Sequence, residues 1–191
     1  MKVNHGRADT VESLYVKYSP ALLSVCLRYC GNLADAEDVL HDGFIKIIRN
    51  LSSFKPRSNG SPEAWMKRIM VNTALNYIRD HAKEKKFLDI DPISERVEIA
   101  EPEITWFDDL AGKINPDKVM EMICELPPGY RTVFNLYVFE SYSHSEIAGL
   151  LGCSENTSKS QLSKARGMLR KRLNHFYNKQ FEPDENATRK S

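Results

Sequence analysis

Residues 143–173 read SHSEIAGLLGCSENTSKSQLSKARGMLRKRL, and this stretch decides the fold. Ser143-His144-Ser145-Glu146 has serine at a helix cap and glutamate three residues on, so each side chain can satisfy an orphan amide of the other's end. The helix that follows should bury Ile147, Leu150 and Leu151, with small Ala148 where a second helix crosses. Gly152 stands where a left-handed residue would close the helix, and Ser154 can cap the next one. Helix, three-residue turn and capped helix make the DNA-binding helix-turn-helix. The second helix would bury Leu162, Ala165, Leu169 and Leu173. Its leading turns carry Thr157, Lys159, Ser160, Gln161, Ser163, Lys164 and Arg166, polar groups that can reach base edges and phosphates. Arg170, Lys171 and Arg172 extend a basic edge. An ordinary helical hairpin with a basic surface has the same caps, but an acid-free basic second helix favours DNA.

Upstream of this motif, helical spacing dominates and alternating strand patterns are nearly absent. A first helix is expected over about Val11–Cys30, with Leu14, Tyr18, Leu22, Val25, Cys26 and Tyr29 on one stripe. Pro20 should dent or divide it. Gly31-Asn32 ends it, and a second helix begins with Asp35 as cap. Glu37 and Asp38 fall in its first turn, where the helix dipole favours carboxylates. Its inner face is Ala36, Val39, Leu40, Phe44, Ile47, Ile48 and Leu51. After a loop from Phe54, Ser61 caps a third helix with Pro62 in the first helical position. On that helix Trp65, Arg68, Asn72, Asn76 and Arg79 recur at three- and four-residue steps and share one face. An aromatic, two guanidinium groups and two amides suit an unpaired strand, because rings stack bases and amides read exposed base edges. The competing reading is a solvated helix face with Trp65 anchored in the core. Further on, Asn115-Pro116 starts a helix through Val119, Met122, Ile123 and Leu126, and another carries Tyr130, Val133, Phe134 and Tyr137. The tail after Lys179 is polar and expected to fray.

A formal net charge of +1 hides a segregated distribution. Residues 65–87 hold six Lys or Arg against two acids, residues 89–109 eight acids against Arg96 alone, and residues 157–175 six Lys or Arg and no acid. Basic helices on either side of an acidic connector are the footprint of a polyanion partner. The connector contains Pro92 and Pro102, and its Trp106-Phe107 pair with Leu110 hints at one sticky patch. Cys26, Cys30, Cys124 and Cys153 form no CxxC pair and no zinc spacing, so free thiols in a reducing cytosol are expected. The opening MKVNHGRADTVESLY lacks the apolar run of a signal peptide, and no segment approaches the roughly 20 apolar residues of a membrane span. A cytoplasmic protein with no membrane insertion, no cofactor and no metal is the expectation. An enzyme acting on nucleic acid would need a catalytic constellation, and the acids at 35–42 have no His, Cys or metal partner.

Three runs in order, DAEDVLHDGFIKIIRNL at 35–51, W-x-x-R-I-x-x-N-x-x-x-N at 65–76 and the helix-turn-helix at 143–173, resemble the extracytoplasmic-function sigma factors, over about residues 10–176. The resemblance implies an all-α protein of two small helical domains joined by a flexible acidic linker. Residues 8–83 would open and read the minus-ten element, residues 84–113 would thread the polymerase active-site channel, and residues 114–177 would read the minus-thirty-five element. It further implies that Asp35, Glu37, Asp38 and Asp42 dock on the β′ clamp of core RNA polymerase, with the β flap as a second contact. Phe54, Ser61, Trp65, Arg68, Asn72, Asn76 and Arg79 would take the minus-ten strand. Thr157, Lys159, Ser160, Gln161, Ser163, Lys164 and Arg166 would take the upstream duplex. Promoter DNA and an anti-sigma factor are the implied partners. Ser160 and Ser163 are small, standing where bulkier or basic residues can occur in some members of that family. A stand-alone helix-turn-helix transcription regulator is the alternative function.

Overall fold

The computed structural model describes residues 5–55, 60–81 and 114–181. Among them every regular element is helical, and the chain divides into two compact units, Met1–Asp89 and Ile90–Ser191. The expected connector, including Trp106, Phe107 and Leu110, lies outside the described residues, as do loop residues 56–59.

The first unit is three mutually packed helices: α1 (His5–Cys30), α2 (Leu33–Asn50) and α3 (Pro62–His81), with a 3-10 turn at Leu51–Ser53 after α2. Two details differ from the sequence expectation. Helix α1 begins at His5 and runs unbroken through Pro20, whose ring faces solvent, while the Ser24 hydroxyl donates to the Pro20 carbonyl at 3.1 Å. The cap of α2 is Asn32, not Asp35: the Asn32 carbonyl oxygen accepts from the Asp35 amide at 2.9 Å, and the Asn32 amide donates back to the Asp35 carboxylate at 2.8 Å. Asp35 thus completes a reciprocal cap from inside the first turn. Leu22, Val25, Cys26, Tyr29, Val39, Leu40, Phe44, Ile47, Met66, Met70 and Ile78 form the core. Helices α2 and α3 cross at Gly43, where an added Cβ would collide with the Met70 sulfur. Only the missing side chain lets that thioether pass.

The second unit contains α4 (Pro116–Cys124), α5 (Pro128–Phe134), α6 (His144–Leu151) and α7 (Glu155–Phe181). Asn115 caps α4 by accepting from the Asp117 amide at 2.9 Å. Buried Arg131 of α5 closes the other end of α4, donating to the carbonyls of Cys124 at 2.6 Å and Leu126 at 3.0 Å, groups a helix end leaves unsatisfied. Helix α5 widens into a π turn over Asn135–Phe139, which the sequence pattern did not announce. Helix α7 is the spine against which α4, α5 and α6 pack. Its inner stripe is the expected one: Leu162, Ala165, Leu169 and Leu173 are buried, each Leu worth roughly 1.5–3 kcal/mol by burial. On α6 only Ile147 and Ala148 are buried. Leu150 is 47% exposed and Leu151 half-buried, because eight residues make little more than two turns and only one face meets α7.

Candidate nucleic-acid interface

The two joints of the helix-turn-helix are formed as the sequence implied. The Ser143 hydroxyl accepts from the Glu146 amide at 3.3 Å, and the Glu146 carboxylate accepts from the Ser143 amide at 2.8 Å and its hydroxyl at 2.7 Å. These bonds, backbone first, hold the Glu146 carboxyl below its usual range. Gly152 adopts φ 66° and turns the chain, and the Ser154 hydroxyl then accepts from the Thr157 amide at 3.0 Å to start α7.

The residues expected to read duplex DNA divide into those presented to solvent and those held by neighbours. Lys159 and Ser160 are exposed, Gln161 and Ser163 half-buried. The Thr157 and Ser154 hydroxyls are hydrogen-bonded to each other at 2.9 Å. Lys164 extends its ammonium over the Tyr130 ring at 5.8 Å, and Arg166 lays its guanidinium over Tyr137 at 5.5 Å, so both cations lean on aromatics of α5 and its π turn. Farther along α7, Arg170 and Lys171 are exposed, but Arg172 departs from the expected basic edge. It points at α4, donating to the Met122 carbonyl at 3.0 Å and pairing with Glu125 at 3.3 Å. Sequence reasoning missed two residues here: His144, the first residue of α6, and the fully buried Ser158.

In the first unit, Trp65 is half-buried against Phe54, ring centroids 4.9 Å apart. Trp65 is thus neither a fully buried core residue nor a fully exposed one. Arg68, Asn72, Asn76 and Arg79 are exposed along α3, and Arg79 donates to the Asn76 carbonyl oxygen at 2.9 Å, leaving the Asn76 amide hydrogens pointing away from that bond. Ser61 caps α3 by accepting from the Ala64 amide at 3.2 Å. The amide of Glu63 and the Ser61 hydroxyl keep the Glu63 carboxyl below its usual range.

On α2, Glu37, Asp38 and Asp42 are exposed, whereas Asp35 is half-buried beneath α3. Burial pushes the Tyr77 phenol up to about 12, helped by its hydrogen bond to the Asp35 carboxylate. Leu33, 54% exposed, and Ile45, 45% exposed, continue the face of Glu37 at four-residue steps. The acidic face is thus bracketed by apolar side chains, which the charge pattern alone did not reveal.

All four cysteines are free; burial pushes the Cys26 thiol up to about 12, its sulfur 4.0 Å from that of Met70. Among the described residues no three His, Cys, Asp or Glu converge as a metal site, and no helix is long and apolar enough to cross a membrane.

Residues 14–84 match Sigma-70 region 2, and residues 117–169 match Sigma-70, region 4. The RNA polymerase sigma-H factor of Pseudomonas aeruginosa is 28% identical over 182 residues, 90% of each chain. The ECF RNA polymerase sigma-E factor of Escherichia coli K12 is 30% identical over 173 residues, 86% of this chain and 87% of the relative. The chain is an extracytoplasmic-function sigma factor of the sigma-70 family. A sigma factor directs RNA polymerase in transcription initiation, and that is its function. Among solved structures, the sigma factor RpoE with the anti-sigma factor NepR from Bartonella quintana aligns with this sigma factor at TM-score 0.48 and 21% identity, over 85% of this chain and 96% of that one.

Proposed function

We propose that the two units of this sigma factor divide promoter recognition between them: residues 8–83 dock on the polymerase and capture the minus-ten strand, residues 84–113 link the units, and residues 114–177 read the minus-thirty-five duplex. The observation that carries this reading is the doubly capped helix-turn-helix, whose second helix opens Lys159, Ser160, Arg170 and Lys171 to solvent while burying an unbroken apolar stripe. Cations held on a rigid helix give the salt-dependent attraction to phosphate, and short polar groups on its leading turns reach base edges.

In the first unit, the exposed acids Glu37, Asp38 and Asp42, with Leu33 and Ile45 beside them, form the face offered to the β′ clamp. Apolar contacts supply affinity there, and the acids supply orientation and rate. Asp35 acts from below, holding the start of α2 to Asn32 and Tyr77. On α3, Trp65 with Phe54 offers a stacking surface, Asn72 and Asn76 offer amides to an unpaired base, and Arg68 and Arg79 hold the backbone; Ser61 sets the start of that helix. Taking a base out of the stack costs a few kcal/mol, which a surface assembled in advance offsets. The protein acts by binding, not by catalysis, works in the cytoplasm with core polymerase, and is held in check by an anti-sigma factor.

The test is reconstitution. Core polymerase with this chain alone should initiate from a promoter carrying both elements, and changing the upstream element should reduce initiation on duplex but not on pre-melted template. Failure to initiate at any candidate promoter, together with tight footprinting by the chain alone, would assign a stand-alone regulator.

A further inference from the structure

His144 follows the cap Ser143 and faces two other elements at once. Its ring lies nearly parallel to that of Tyr137, 24° between planes and 4.7 Å between centroids. Its Nδ1 is 2.9 Å from the Ser158 hydroxyl, which is fully buried in the first turns of α7. Tyr137 in turn carries the Arg166 guanidinium 5.5 Å from its ring centre. One continuous contact, Ser158–His144–Tyr137–Arg166, therefore grips α7 at two points eight residues apart. At 1.5 Å rise per residue these points are about 12 Å apart along the helix axis.

The apolar stripe of α7 cannot do the same work. Burial is proportional to area and has no direction of its own, so Leu162, Ala165 and Leu169 hold the helix against the unit but set its angle less sharply than a directional contact does. A hydrogen bond and a ring stack are directional. A tilt of about 5° over 12 Å moves one end by about 1 Å, enough to take a base-edge hydrogen bond outside its 2.7–3.2 Å range. Lys159, Ser160 and Gln161 immediately follow the gripped Ser158 and share its displacement.

We propose that His144 is a positioning residue for upstream recognition: through Ser158 and Tyr137 it fixes the axis of α7 and so determines which bases the leading turns meet. This rests on the assignment of residues 114–177 as the duplex reader. The test loads core polymerase with the full chain and selects bound sequences from a duplex library randomised over the upstream region. Wild type is compared with His144→Ala, Ser158→Ala and His144→Asn, and the melting temperature of each variant is recorded. The Asn side chain places a polar atom close to where Nδ1 lies.

His144→Ala and Ser158→Ala should each lower the preference for the wild-type upstream sequence about tenfold, the size of one lost base-pair preference. His144→Asn, which restores the polar atom facing Ser158 but not the ring on Tyr137, should recover part of it, and the losses should not follow melting temperature across the set. If the wild-type holoenzyme enriches no upstream sequence, the duplex-reader assignment falls and this inference with it. If it does enrich one, and His144→Ala selects the same sequence as strongly or His144→Asn does no better than His144→Ala, the inference alone is overturned. Should His144→Ala not fold, the comparison of Ser158→Ala with wild type decides on the same criteria.

Discussion

Three consecutive cations on α7, Arg170, Lys171 and Arg172, look equivalent in the sequence and should behave differently when removed. Arg172→Ala deletes a charged donor to the Met122 carbonyl and its pairing with Glu125. A hydrogen bond from a charged group contributes about 1.5–3 kcal/mol. The Arg172 side chain is 32% exposed and that of Glu125 53%, so solvent screens the ion pair to at most a few tenths of a kcal/mol and places the bond at the low end of its range. A loss of about 1–2 kcal/mol follows, or roughly 4–16 °C in the melting of a unit this small. Lys171→Ala should change stability by less than about 0.5 kcal/mol, because its side chain is exposed. Its effect should fall on DNA binding, where each lost phosphate contact lowers the slope of log K against log salt by about 0.9. Urea titration followed by amide exchange in α4 and α7 reads the first quantity, and duplex affinity at several salt concentrations reads the second. If Arg172→Ala leaves α4 and α7 as protected as in wild type, and lowers the salt slope as much as Lys171→Ala does, then Arg172 faces DNA and the assignment of its guanidinium to α4 is wrong.

Asp38→Arg should lower affinity for core polymerase at least tenfold while the melting temperature stays put; unchanged affinity in a core-binding titration would remove the β′ assignment of α2. Lys159→Ala should weaken binding of the holoenzyme to duplex upstream DNA and leave initiation on a pre-melted template intact, and equal losses on both templates would contradict the division of labour. The Glu146 carboxyl is held below its usual range in the folded chain, so its contribution to stability is present above the unfolded carboxylate pKa and is lost as pH falls through the lower, folded one. Unfolding of the second unit followed between about pH 5 and pH 2 should therefore be less pH-dependent in Glu146→Gln than in wild type, and identical slopes would refute this.

What the sequence disclosed was mostly what has a period or a local cap. The apolar stripes of α2 and α7, the capping box at Ser143 and the left-handed Gly152 follow from spacing and short-range chemistry, and the structure has them where the pattern implied, except that Ile48 and Leu51 at the end of the α2 stripe are only half-buried. Some departures are local and others come from partners distant in sequence. Asn32 rather than Asp35 takes the cap of α2, because the helix already starts at Leu33; Asp35, inside the first turn, answers Asn32 and also accepts from Tyr77 of α3. Leu150 misses the core because the length of α6, not its pattern, limits what can be buried. Arg172 turns away from its neighbours toward a carbonyl fifty residues earlier, and His144 and Ser158 meet across a turn. The π turn at Asn135–Phe139 has no periodic signature, since one extra residue in a helix shifts a stripe that is only two turns long. Charge counting found the acidic face of α2 but not the Leu33 and Ile45 beside it, because lone apolar residues on a surface are common.

The buried sulfur of Cys26, crossed by Met70 where α2 and α3 meet at Gly43, has a use outside transcription. Alkylating reagents attack the thiolate, and burial both pushes the Cys26 thiol up to about 12 and closes its sulfur off from solvent. Alkylation at this position thus waits for the three-helix unit to come apart. Cys124 and Cys153, half-buried in the other unit, should be modified sooner. Mass added at Cys26 and Cys30, both buried in the first unit, then times the opening of that unit without any label being engineered into it.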